Sequence, residues 1–172
     1  MSATRTRVND CVHASPGIHF NAISRSLDLA TGQTQYHLRR LLRDGALTSE
    51  EICGRTHYYP PTYSAWERGV IALLRRETAR EIVLQLLGSE PQTPAELTNR
   101  LGLARSTVEW HLSNLETHDV VTKHPDEAQS GDPLVVALCE PDRTYRLLRE
   151  IDPRLSDRLA DRFIRLTDQL FE

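Results

Sequence analysis

The 172 residues predict a mostly α fold with two small β-hairpins, built as two copies of one unit and completed by C-terminal helices. Three observations carry this expectation. Apolar residues recur at helical spacing through most of the chain. Twice, a set of helical stretches gives way to two short extended runs around turn residues. The apolar frame of the first copy also returns 74 positions later without a gap, which is the mark of a duplicated supersecondary unit.

The first copy reads as follows. Residues 3–14 form a helix with Val8 and Val12 in register, ended by Pro16 and Gly17. Residues 20–27 form a second, short helix on Phe20, Ile23 and Leu27. Asp28, Leu29 and Ala30 make a turn. Thr31 is expected to cap the next helix, TGQTQYHLRRLLRD, which ends near Asp44 and Gly45. Residues 46–53 then alternate weakly, Gly54 and Arg55 turn the chain, and residues 56–59 return as a hairpin stopped by Pro60 and Pro61. A linker helix over residues 61–76 follows, so the first domain is expected at 1–60.

The second copy occupies residues 77–141. Leu27 maps to Leu101, Leu29 to Leu103, Tyr36 to Trp110, His37 to His111, Leu38 to Leu112, Leu41 to Leu115 and Leu47 to Val121. Its hairpin is expected at residues 120–124 and 134–139, around a long tip. Residues 142–172 hold two more helices, the first with Tyr145 and Leu148 turned inward. In the last, Leu155, Leu159, Phe163, Leu166 and Leu170 make a narrow seam of coiled-coil type, expected to join two copies of the chain as a homodimer.

Composition limits the function. The chain is 39% hydrophobic and 26% charged, ordinary for a globular protein, and aromatics at 6% leave the cores to Leu, Ile and Val. No apolar run approaches the roughly 18 residues that cross a bilayer, and no apolar signal core follows Arg5 and Arg7. A cytoplasmic protein without a membrane partner is expected. Cys11, Cys53 and Cys139 lack disulfide or zinc-ribbon spacing and are expected to be buried or half-buried thiols. No phosphate loop, nucleophile elbow or metalloprotease motif is present. An enzyme is not expected, nor a cofactor.

The net charge of −3 is unevenly spread. Residues 1–60 have seven arginines against five carboxylates, and residues 61–76 three against one. Residues 77–141 have four basic groups against eleven acidic ones. Lys123 is the only lysine, so the cations are almost all planar guanidinium forks, suited to phosphate and guanine.

On a helical wheel, Thr34, His37, Leu38 and Leu41 share one side of the TGQTQYHLRRLLRD helix. Gly32, Gln35, Tyr36, Arg39, Arg40 and Arg43 lie toward the other, with Gln33 at the flank. Such a helix packs by one face and offers hydrogen bonds by the other. Gln pairs with adenine N6 and N7, and Arg forks onto guanine O6 and N7. Arg40 and Arg43 suit phosphates, and Arg55 and His57 in the hairpin are placed to reach the backbone beside them. Gly32 allows close approach to DNA. His37 and His111 are read as half-buried histidines bonded within their own domains.

The stretch FNAISRSLDLATGQTQYHLRRLLRDGA with GRTHYYP, and its second copy TPAELTNRLGLARSTVEWHLSNLETHDVV, resemble the winged helix-turn-helix of ArsR/MarR-type prokaryotic regulators. The tandem arrangement resembles two-winged-helix regulators of archaea, haloarchaea in particular. The resemblance spans roughly residues 3–60 and 77–140 and implies transcriptional control by binding double-stranded DNA, usually as a dimer. Carried over by position, it implies base readers at Thr31, Gln33, Gln35, Tyr36 and Arg39. In the second copy it implies them at Arg105, Ser106, Thr107, Glu109, Trp110 and Ser113. There the sequence departs from the pattern, because Glu109 and the tip residues Asp126, Glu127 and Asp132 repel phosphate. The second domain is therefore expected to bind DNA only through its Arg105 end, or to contact a protein partner. Two other classes stay open: a protein-interaction adaptor that binds no DNA, and a regulator responding to a ligand or metal.

Overall fold

A computed structural model describes residues 2–125 and 134–153 and divides into two compact units, Met1–Ala72 and Leu73–Glu172. In the first unit, α1 (Ala3–Ala14) is capped by Ser2, whose side chain accepts from Arg5 N. It ends where the Ser15 N–H bonds Cys11 O and Val12 O. The two-residue strand β1 (Ile18–His19) leads into α2 (Phe20–Leu27), and α3 (Thr31–Arg43) follows. The hairpin is β2 (Thr48–Ile52) and β3 (Arg55–Tyr59), and α4 (Ala65–Leu74) comes after it.

The core of this unit is what the wheel requires. Val8, Val12, Ile23, Leu38, Leu41, Leu47 and Tyr58 are buried together, each large apolar side chain stabilising the fold by about 1.5–3 kcal/mol. Thr34 is the polar exception: its hydroxyl accepts from Ser24 Oγ at 3.1 Å and lies 3.3 Å from Ala30 O, which satisfies it in the interior. Thr31 does not cap α3. It is the first helical residue, Ala30 holds the cap position, and no side chain closes that end.

The sequence reading missed β1. The sheet has three strands in the order β1-β3-β2, with Ile18 opposite Tyr58 and His19 opposite His57. Two residues are too few to show alternation. What fixes the strand is the Gly17 N–H donating to Tyr58 O at 2.8 Å. Gly17 has φ +78°, and a Cβ there would lie 2.6 Å from Ile71 Cγ2, so glycine is needed for space as well as conformation. The hairpin turn is Cys53 and Gly54, both at positive φ, the geometry that matches strand twist in a two-residue turn. Residues 61–76 do more than link. Tyr59 is fully buried and its hydroxyl donates to Arg68 O at 2.9 Å, while Arg68 Nε pairs with Glu50 at 2.6 Å. Helix α4 is thereby tied to the hairpin.

The second unit holds α5 (Glu77–Leu87), α6 (Pro94–Leu101), α7 (Arg105–Thr117), β4 (Val121–Pro125), β5 (Leu134–Leu138) and α8 (Pro141–Ile151). Helices α6 and α7 repeat α2 and α3 at the 74-residue offset, residue for residue at both ends. Thr93 and Glu96 form a capping box at the start of α6. Gly102 takes the left-handed position that Asp28 holds in the first unit, and Asp119 the one held by Gly45. Gln92 stands where Ile18 stands, bridging Val136 through N–H···O bonds of 3.2 and 2.7 Å. Its side chain is buried and bonds Ser89 and Gln85 O.

In α8 the inward residues are Thr144, Leu147 and Leu148. Tyr145 is only half-buried, with Arg149 5.8 Å over its ring, so the expectation of an inward Tyr145 is corrected by one helical position. The acidic tip residues Asp126, Glu127 and Asp132 lie outside the described residues. So does the seam of Leu155, Leu159, Phe163, Leu166 and Leu170. No helix among the described residues is long and apolar enough to cross a membrane.

Candidate nucleic-acid interface

Helix α3 turns Thr34, Leu38 and Leu41 inward, so the remainder of its surface is fixed by helical geometry. Thr31, Gly32, Gln33, Gln35, Tyr36, Arg39 and Arg43 are exposed, and Arg40 is half-buried. Tyr36 keeps 54% of its surface in solvent, a large apolar group left out where packing alone would bury it. Its ring meets His37 edge-on at 5.2 Å and lies 5.9 Å from the Arg40 guanidinium. Nothing lies within 4 Å of where a Gly32 Cβ would sit, so packing does not demand glycine there.

The four arginines nearest the site differ in commitment. Arg43 lies 3.9 Å from Asp44, which Arg5 also approaches at 3.8 Å. Arg40 leans on Tyr36. Arg39 and the exposed wing residue Arg55 form no ion pair among the described residues, which leaves their full charge for a partner.

His57 is not part of this surface. It is 4% exposed, and its Nδ1 lies 2.7 Å from Gly17 O. The expectation that it reaches a DNA backbone is corrected: β3 is the central strand, and its neighbour β1 was not foreseen. What sequence reasoning missed instead is a groove of about 830 Å³ between α2, β1, the start of α3 and β3. His19, Phe20, Arg25, Thr31, Arg55 and Tyr58 are among its lining residues. Desolvation holds the His19 imidazole below its usual pKa, helped by the charges of Arg55 and Arg25. Burial pushes the Tyr58 phenol up.

In α7 the same scaffold carries a different face. Arg105 and Ser106 are exposed and Thr107 is half-buried. Ser113, Asn114 and Thr117 stand where α3 has Arg39, Arg40 and Arg43. Lys123 from β4 lies 3.6 Å from both Glu109 and Glu116, so the wing cation is spent on the helix's own carboxylates. Trp110, 48% exposed, has the Arg76 guanidinium 5.2 Å over its ring and meets His111 edge-on at 4.8 Å. His111 is buried, and desolvation and then Arg76 lower its pKa.

The expected bonds of His37 and His111 within their domains are not found at Nδ1, which has no hydrogen-bond partner in either among the described residues. Cys11 and Cys53 are half-buried, but Cys139 is exposed, contrary to expectation. Among the described residues no group of three or more His, Cys, Asp or Glu is arranged to hold a metal ion.

Comparison with known proteins places this geometry. The N-terminal HTH (helix-turn-helix) domain family matches residues 2–71, and the helix-turn-helix domain family matches residues 73–124. An uncharacterized HTH-type transcriptional regulator of Methanocaldococcus jannaschii is 26% identical over 121 residues. That match takes in 70% of this chain and 30% of the relative, so the chain spans less than a third of that protein's length. Among solved structures, an ArsR-like transcriptional regulator from Rhodococcus sp. RHA1 is 29% identical, covering 56% of this chain and 89% of its own, with a TM-score of 0.39. Reduced AbfR bound to DNA is 14% identical, covering 81% and 90%, with a TM-score of 0.41. With its two family matches abutting at residues 71 and 73, the chain is a tandem of two helix-turn-helix domains, each followed by a β-hairpin wing.

Proposed function

We propose that the protein is a sequence-specific DNA-binding transcriptional regulator in which α3 of the first unit does most of the base reading. The carrying observation is the exposed face of α3: two glutamines, a tyrosine and an uncommitted arginine on a helix whose other face is locked into a core. In this reading α3 lies in the major groove, with Gln33, Gln35, Tyr36 and Arg39 toward base edges and Thr31 and Gly32 at the entering end. Arg40, Arg43 and Arg55 hold phosphates, which set register without reading sequence. The relative named as a transcriptional regulator and the helix-turn-helix families support this assignment.

The second unit takes a lesser share. Arg105, with Ser106 and Thr107, is its DNA-facing end, and the remainder of α7 is a surface for a protein partner. Two copies of the chain join through Leu155, Leu159, Phe163, Leu166 and Leu170, so that two α3 helices meet successive half-sites. Such a regulator works in the cytoplasm, without a membrane and without catalysis.

Binding of purified protein to fragments of its own genome, followed across a salt series, tests this. A DNA reader loses affinity linearly in log–log coordinates, with a slope set by the phosphates it neutralises. Protein that shifts no fragment at low salt sinks the proposal. For the dimer, Phe163→Asp should give monomers in sedimentation, and a dimeric variant would move the interface elsewhere.

A further inference from the structure

We propose that the second unit holds a binding site for a small, uncharged, apolar molecule, a single ring or short branched chain, in the recess between the end of α5 and β5. The recess has a volume of about 230 Å³. Leu86 and Leu87 come to it from α5, Ser89 and Pro91 from the loop that follows, and Ala137 and Leu138 from β5. Among the described residues its lining has no charged side chain, unlike the arginine-lined groove of the first unit.

In the first unit the same place is full. By the 74-residue offset, Leu86, Ser89 and Pro91 stand where that unit has Val12, Ser15 and Gly17. The Gln92–Val136 bridge matches the pairing of Ile18 with Tyr58, so Ala137 takes the place of Tyr59. Tyr59 and Ile71 are both buried there, and a Cβ on Gly17 would lie 3.4 Å from Tyr59 Cε1 and 2.6 Å from Ile71 Cγ2. In the second unit the ring is cut back to a methyl group, and among the described residues α8 lines the recess only through Pro141. Pro91 also adds bulk where Gly17 lets Ile71 come close, so a helix cannot settle there as α4 settles on Gly17.

The lining sets the class of ligand. Pro91 and Pro141 have no N–H to offer. Ser89 is the one polar side chain in the described lining, and it is committed: its hydroxyl donates to Gln85 O at 2.6 Å and accepts from Gln92 Nε2. A charged group would enter without a partner and carry a desolvation cost that a neutral apolar group does not meet. Apolar cavities of about 150 Å³ stay dry and take up benzene. The recess exceeds that size.

The test is a titration of the full chain with benzene, followed through the methyl resonances of Leu86, Val136 and Leu138. These should shift saturably, while those of Val12 and Ile71 in the first unit stay in place. At about ten times its dissociation constant, benzene should raise the melting temperature by about 3–6 °C. Benzoate, the same ring with a charge, should do neither. Ala137→Tyr restores the side chain of the first unit and should weaken benzene binding at least about tenfold, because its ring takes the same space. Leu87→Phe narrows the recess from α5 and should weaken binding likewise, which keeps the test open if Ala137→Tyr does not fold. A wild type with no saturable shift overturns the site, as does equal movement of the first unit's methyl groups or wild-type affinity in the folded variants. Benzoate binding as tightly as benzene overturns the ligand class.

Discussion

The two units share a frame and differ in what they spend on it. The helices of the second HTH repeat those of the first at one offset, and the buried set Ile23, Leu38 and Leu41 returns as Leu97, Leu112 and Leu115. Two left-handed positions also coincide, Asp28 with Gly102 and Gly45 with Asp119, with Asp and Gly exchanged between copies. The exposed faces do not follow. Where α3 has three arginines, α7 has Ser113, Asn114 and Thr117, and its neighbouring cations are turned inward, Lys123 onto Glu109 and Glu116, Arg76 onto Trp110. Packing constrains one side of a helix and leaves the other free to specialise, so duplication of a fold need not duplicate its chemistry.

The largest test of that contrast concerns the shared frame. Leu38→Ala and Leu112→Ala should each destabilise the protein by about 2–5 kcal/mol in chemical denaturation. A much smaller loss at one site would show that the frames are not equivalent. Next comes the exposed face. Arg39→Ala should weaken specific binding by about 1–3 kcal/mol and relax preference at one base pair. Ser113→Ala, at the matching position, should stay within about 0.5 kcal/mol. Equal loss on specific and random DNA would make Arg39 a phosphate contact.

A third test uses pH. His19 and His111, one in each unit, have folded pKa values below the unfolded 6.5, desolvation first in both. Below pH 6.5 the unfolded chain therefore binds protons that the folded chain refuses, and stability falls as pH drops through that window. The denaturation midpoint of wild type should decline from pH 7.5 to 5. In a His19→Asn, His111→Gln double variant it should decline less, and an unchanged slope would assign the effect to other groups. The smallest effect is at Glu109. Glu109→Ala removes one of the two carboxylates that hold Lys123 and should leave specific affinity unchanged or slightly raised. A clear loss would mean that α7 reads DNA through Glu109.

Much of the fold was legible because its signals are local. Helical periodicity placed α1 and α2 at the residues observed, and the repeat carried the second HTH. What escaped depends on partners distant in sequence. A two-residue strand is recognisable only from its pairing with β3, and with β1 unseen, His57 could not be known to be covered. The cap of α3 misled for a different reason: Thr31 is a good capping residue, but the turn from Asp28 places the helix start on it. In the candidate interface, the face of α3 was legible from the wheel, and that of α7 followed from the 74-residue repeat. The groove was not, because His19, Arg25 and Arg55 come together only through the fold. The hold on Lys123 by Glu109 and Glu116 is equally tertiary.

The order β1-β3-β2 leaves β2 as an open edge of the first wing, and β4 runs beside a single strand in the second. An unpaired edge is a template on which another chain can add a strand. Here β2 carries Glu50 and Glu51, while β4 carries Lys123 and ends at Pro125. Charges and a proline are what deter such pairing. Both hairpins therefore carry their own guard against sheet-to-sheet pairing between copies of the chain, in the very strands that leave an edge open.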